Sequence, residues 1–132
     1  MKYILMMHGT KSEWDAYTAW SKEDLLRHFA FMHAFRQELK ESGVFVAAEG
    51  LAFPDQAKIV RAGKTGEPIT DGVFPEAKEF LAGYWIIDVE GPEQAYQVAA
   101  RASAAPGPGG IRGSMPIEVR QVLSDAPEEL LR

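Results

Sequence analysis

The sequence has no cysteine, which removes disulfides, thiolate nucleophiles and thiolate metal sites together. Nor does it carry an excess of positive charge. Against 14 basic residues stand 19 acidic ones, for a formal net charge of −5, and a nucleic-acid footprint needs a basic stripe. No apolar run approaches the roughly 18 residues that span a bilayer. The short stretch Tyr3 to Met7 ahead of His8-Gly9 falls far short of a signal-peptide core. No HxH, HxxxH or HxxE spacing occurs among the three histidines, so no metal centre is expected. The expectation is a cytoplasmic protein without membrane span, nucleic-acid partner, metal or cofactor.

What is present suits one globular domain, residues 1–132, since 46% of the 132 residues are apolar and 25% charged. Lys2 to His8 is a short run apolar on both alternating faces, as buried central strands are. Ser12 stands three before Asp15 and Ser21 three before Asp24, two capping-box-like helix starts. The second opens a helix over about 22–42, stopped by Gly43 at C′, with Leu25, Met32, Phe35 and Leu39 on one face and Phe29 and Phe31 widening it. Val44 to Phe53 and Lys58 to Arg61 read as strands, and 63–66 as a turn. Segment 70–79 is polar and turn-rich, with Gly72 expected to follow Asp71 at positive φ.

Phe80 to Val89 is the strongest strand, apolar on both faces. Pro92 at N1 opens a second helix whose narrow face is Ala95, Val98, Ala99 and Ala102. Residues 105–113 hold four Gly and two Pro and read as a mobile loop. Ile117 to Val122 is the last strand, and the tail from Ser124 a loose turn or helix. The order is βαββαβ with a small hairpin insertion, an α+β, ferredoxin-like arrangement. Two helices cover one sheet face, while the central strands are apolar on both. A homodimer pairing sheet to sheet is therefore expected.

Two glycine-rich segments imitate phosphate sites without their context. Gly63-Lys64-Thr65 lacks the first P-loop glycine, because Lys58 stands there, and no helix follows. In 107–112, Arg112 occupies the third glycine position of a dinucleotide fingerprint, ahead of a strand.

Polar residues in apolar surroundings are the candidate site. His28 falls within the helix's apolar stripe, where an imidazole needs a hydrogen-bond partner. His33 lies about 140° around the helix from it. His8 ends the first strand. Alternation places Glu49 with Phe45, Ala47 and Leu51, where an ionised carboxylate needs a partner such as Arg36 or Arg61. Asp71 is a further carboxylate, at a turn-like Asp-Gly pair.

The run Thr70-Asp71-Gly72-Val73-Phe74-Pro75-Glu76-Ala77-Lys78-Glu79, then Gly83-Tyr84-Trp85-Ile86-Ile87-Asp88-Val89, resembles the DGPFAETKE signature and the strand after it in the YCII-related (DGPF-domain) family. The opening Met1-Lys2-Tyr3-Ile4-Leu5-Met6, Glu38-Leu39 before Gly43-Val44, Glu49-Gly50-Leu51 and Ile117-Glu118-Val119-Arg120 support the resemblance. Val73, Pro75 and Ala77 depart from the signature's proline, alanine and threonine. The resemblance implies a dimeric α/β barrel of bacterial type. Most members have no assigned role; the related enzymes include a dehydrochlorinase and place a helical histidine near an acid.

His33 is the closer match to that histidine, whereas His28 is the better physical candidate. Two function classes follow. One is a small-molecule-binding module. The other is a metal-independent lyase or isomerase acting on a small cyclic or aromatic, acid-like substrate, with His28 or His33 as base beside Glu49 or Asp71. Phe74, Tyr84 and Trp85 would wall the ligand. The cleft is expected between the long helix and 70–79, with a histidine within about 6 Å of one carboxylate.

Overall fold

The computed structural model describes residues 1–72, 79–123 and 127–130. Its elements run β1 (Lys2–Gly9), α1 (Lys11–Thr18), α2 (Lys22–Glu41), β2 (Phe45–Gly50), β3 (Lys58–Ala62), β4 (Pro68–Gly72), β5 (Phe80–Asp88), α3 (Pro92–Ser103) and β6 (Ile117–Gln121). An antiparallel four-stranded sheet has the order β2-β5-β1-β6, and β3 and β4 form a separate hairpin. This is the α+β, ferredoxin-like order that the alternation of strand and helix patterns predicts. The two longest apolar strands take the two central places, where both edges are hydrogen-bonded.

Strand alternation divides the sheet into two unlike faces. Tyr3, Leu5, Trp85 and Ile87 point to the helices, where they meet Phe35 and Leu39 of α2 and Ala95, Val98, Ala99 and Ala102 of α3. Leu5, Leu39 and Ile87 are wholly buried. Phe35 sits edge-on to Trp85, 5.7 Å between ring centroids, with the Arg101 guanidinium 5.3 Å from its own centroid. All four small residues predicted for the α3 face are buried, and their size lets the helix approach the sheet closely. The register puts Ile4, Met6, Tyr84, Ile86 and Glu118 on the opposite face. Tyr84 and Trp85 therefore lie on different sides of the sheet, and Trp85 belongs to the core.

A bulge at Val46 changes the reading of β2. Phe45 pairs with Ile87, but Ala47 pairs with Ile86, so one extra residue reverses the alternation between them. Phe45 stays on the helix side, under Arg36 and Lys40 at 5.1 and 5.2 Å. Ala47 and Glu49 turn to the open face. Glu49 therefore parts from Phe45 and joins Tyr84 and Ile86 on the other face, where it is exposed.

Helix ends follow their caps. Ser21 accepts from the Asp24 N–H at 3.1 Å, as predicted for α2. The first helix instead starts at Thr10, whose hydroxyl oxygen accepts from the Glu13 N–H at 3.3 Å while its proton goes to Glu13 Oε1 at 3.0 Å. That reciprocal pair outcompetes the Ser12 start expected from spacing. In α2, Phe29 faces outward at 51% exposure and does not widen the buried stripe. Segment 68–72 is a strand rather than part of a turn-rich run, and Gly72 pairs with Lys58 without a positive φ. The strain expected there has no basis.

Gly43, by contrast, holds φ +80° at the end of α2. Gly43→Ala should lower unfolding stability by about 1–2 kcal/mol. Gly72→Ala, with open space around an added Cβ, should change it by less than about 0.5 kcal/mol. Urea denaturation of the two variants checks the contrast.

Candidate functional site

The site grows from the first turns of α2. Asp24 accepts the Gly109 N–H at 3.0 Å, and Arg27 donates to Asp24 at 3.3 Å and to Glu23 at 3.2 Å. The Arg27 guanidinium lies against Gly110, where an added Cβ would stand 2.7 Å from Nη1. Gly109 and Gly110 hold φ +72° and +74°, which glycine alone adopts at low cost. The loop closes on itself through Gly107 N–H to the Ile111 carbonyl at 2.8 Å and Gly113 N–H to the Ala105 carbonyl at 3.0 Å. Thus 105–113, expected to be mobile, is a clamped wall.

His28 completes the clamp and is 8% exposed. Its Nδ1 lies 3.1 Å from the Pro106 carbonyl oxygen. A carbonyl only accepts, so Nδ1 carries the hydrogen, and in the neutral ring Nε2 presents a lone pair. No side-chain nitrogen or oxygen sealed from solvent lacks a partner among the described residues. Nε2 has none from the protein and is therefore reached by solvent. Around the ring stand Trp20 at 5.5 Å, Tyr17 at 6.0 Å and Phe29 at 6.1 Å between centroids, all steeply inclined to it. Burial raises the Tyr17 phenol above its ordinary pKa. Trp14 and Phe53 meet edge to face at 4.4 Å and fasten α1 to the segment after β2.

His28 and Trp20 border a partly open cavity of about 350 Å³ between α1, α2 and the loop after α3, large enough for a small organic molecule. Trp20, Met7, Met32 and Pro106 supply apolar walls, and His28, Glu13, Ser103 and Ser114 the polar side chains. A hollow of about 440 Å³ between α3 and β6 is lined by Ser103, Met115 and Ile117, with Tyr96 as its titratable group.

The other sequence candidates lie elsewhere. His33 is exposed on α2, and Asp71 is exposed on β4 opposite Ile59. Glu49 lies on the open sheet face, and Arg36 donates to the Ala48 carbonyl at 3.0 Å. Tyr84 is half-buried on that same open face. Phe74, Val73, Pro75 and Ala77 lie outside the described residues, as does Ser124. His8 pairs with Glu118 at 3.1 Å. Among the described residues no hydrogen bond or ion pair joins a histidine to Glu49 or Asp71, and no three carboxylate or imidazole groups converge as a metal site.

Glu13 and Trp20 were not legible as cavity residues from sequence. Glu13 holds the third position of the Thr10 capping box, and that box was the available signal. Asp24→Ala should cost about 0.5–1.5 kcal/mol by removing the acceptor of the Gly109 N–H, which water can replace. It should speed hydrogen exchange across 107–111, which mass-spectrometric exchange can measure.

The YCII-related domain model matches residues 1–112. No curated protein matches the chain. The match runs from β1 through both long helices and the clamped loop and stops short of β6, the strand that completes the sheet. With most of its length matched and the ferredoxin-like order in place, the chain belongs to the YCII-related domain family.

Proposed function

We propose that this chain is a small-molecule-binding domain whose ligand sits against His28, and that it works as a homodimer paired through the open face of its sheet. The observation that carries the first part is the fixed tautomer of His28. Pro106 holds the Nδ1–H at 3.1 Å, and His28 lines a mostly apolar cavity, so Nε2 is the ring nitrogen left for a ligand. Solvent reaches its lone pair, and a ligand that displaces that solvent without a donor of its own would leave the nitrogen unpaired. A ligand with a matching donor keeps it paired, and Trp20 and Met32 supply the apolar contact. The same lone pair, with Glu13 on the same wall, supports a second reading in which Nε2 takes a proton from the bound molecule, as in a lyase or isomerase.

Ile4, Met6, Tyr84 and Ile86 support the homodimer. They form an apolar strip on a sheet face that carries no helix among the described residues, and a second copy of the same strip is the self-complementary cover that a two-fold interface requires. Light scattering should return twice the 14.6 kDa chain mass. Ile86→Glu should give a folded monomer. Ile87→Glu, one residue on but wholly buried, should fail to fold because it leaves a charge in the core.

For the site, a fragment screen by NMR on the full chain should find small aromatic or alicyclic molecules that shift the His28 and Trp20 ring signals. His28→Ala should abolish those shifts. Fragments that bind equally well to the His28→Ala variant would sink the assignment.

A further inference from the structure

The polarity of the cavity wall narrows the ligand class, an inference that rests on the binding site just proposed. His28, Ser103 and Glu13 each present an acceptor there, and Ser114 adds a neutral hydroxyl that can donate or accept. His28 Nε2 offers a lone pair because Nδ1 is committed to Pro106. Ser103 Oγ donates its proton to the Met115 carbonyl at 2.6 Å, which leaves its lone pairs free. Glu13 brings a carboxylate and is the charged side chain on the wall among the described residues. Among the described residues neither lysine nor arginine lines it. Arg27, the nearest clamp cation, is turned to Asp24 and Glu23.

Two further features have the same sign. Ala102 and Ser103 bring the last turn of α3 to the wall, and a helix C-terminus carries partial negative charge. Trp20 also lines the cavity, and an indole face attracts cations.

We infer that the cavity selects small hydrophobic amines, a primary ammonium on an aromatic or alicyclic body, over the corresponding carboxylic acids. The ammonium has three donors and no acceptor. It meets Glu13 in a charge-assisted hydrogen bond and the His28 lone pair in a second, while the ring lies against Trp20 and Met32. A carboxylate of the same shape brings only acceptors and a like charge to Glu13, and a neutral Ser114 hydroxyl offsets little of its desolvation.

The test titrates the full chain near neutral pH with benzylamine, benzyl alcohol and benzoate, followed through the Trp20 and His28 ring signals. Benzylammonium should bind about tenfold or more tighter than benzoate, the scale of one charge-assisted hydrogen bond. Added salt should weaken it while leaving benzyl alcohol unchanged. Glu13→Gln keeps an acceptor for the Thr10 hydroxyl, so α1 keeps its cap, and it should bring the amine and alcohol to within about threefold of each other. If benzoate binds as tightly as the amine, or if the amine preference survives Glu13→Gln, the selectivity is overturned while the binding site stands. Should none of the three probes shift either ring, the site and its selectivity fall together. The salt series needs only the unaltered chain, so it tests the charge preference even if the variant does not fold.

Discussion

Two helices can cover only one face of a four-stranded sheet, and the rest of this structure follows from that limit. On the covered face, Leu5, Ile87 and Leu39 lose all contact with water, and Phe35 stands between Trp85 and the Arg101 guanidinium. Removing such side chains from water is the main favourable term in folding. The same two strands must also turn Ile4, Met6, Tyr84 and Ile86 the other way. Alternation allows no other choice, so the fold that completes one core leaves this strip on the opposite face.

The cavity arises at the border of the covered layer, where α3 ends and the chain has to return to β6. A loop with four glycines and two prolines in 105–113 has little side chain to pack and has to be held from outside. The first turns of α2 hold it, through Asp24 to Gly109, Arg27 against Gly110 and His28 to Pro106. The last of these contacts also fixes which nitrogen of the imidazole carries a hydrogen. A structural hydrogen bond thereby sets the chemistry of the opposite edge of the ring. Helix α1, joined to the body through Trp14, Tyr17 and Trp20, roofs the space and brings Glu13 to it.

Much of this was legible locally. Element order, the Ser21 cap, Gly43 at the end of α2 and the small-residue face of α3 each depend on residues within a turn or two of one another. Periodicity and spacing report such short-range preferences directly. His28 was also recognisable, because it interrupts an apolar stripe. Where local rules failed, something distant or competing had intervened. A single extra residue at Val46 separated Glu49 from Phe45, and a register shift of that kind is decided by the partner strand. Thr10 displaced Ser12 as the cap because its pair with Glu13 closes in both directions. The glycine-rich loop was read as mobile because its restraints come from side chains more than 75 residues earlier in the chain.

The fold class, the covered core and the strip left open were thus written in the residues alone, since each is a matter of period and burial along one segment. The place of the cavity, the joining of Glu13 and Trp20 to His28 in it, and the lone pair that His28 presents were settled in three dimensions. Those outcomes depend on pairs such as His28 with Pro106, separated by 78 positions. Hydrophobic pattern carries no record of such pairs, because a hydrogen bond to a backbone carbonyl leaves no mark on the identity of the accepting residue.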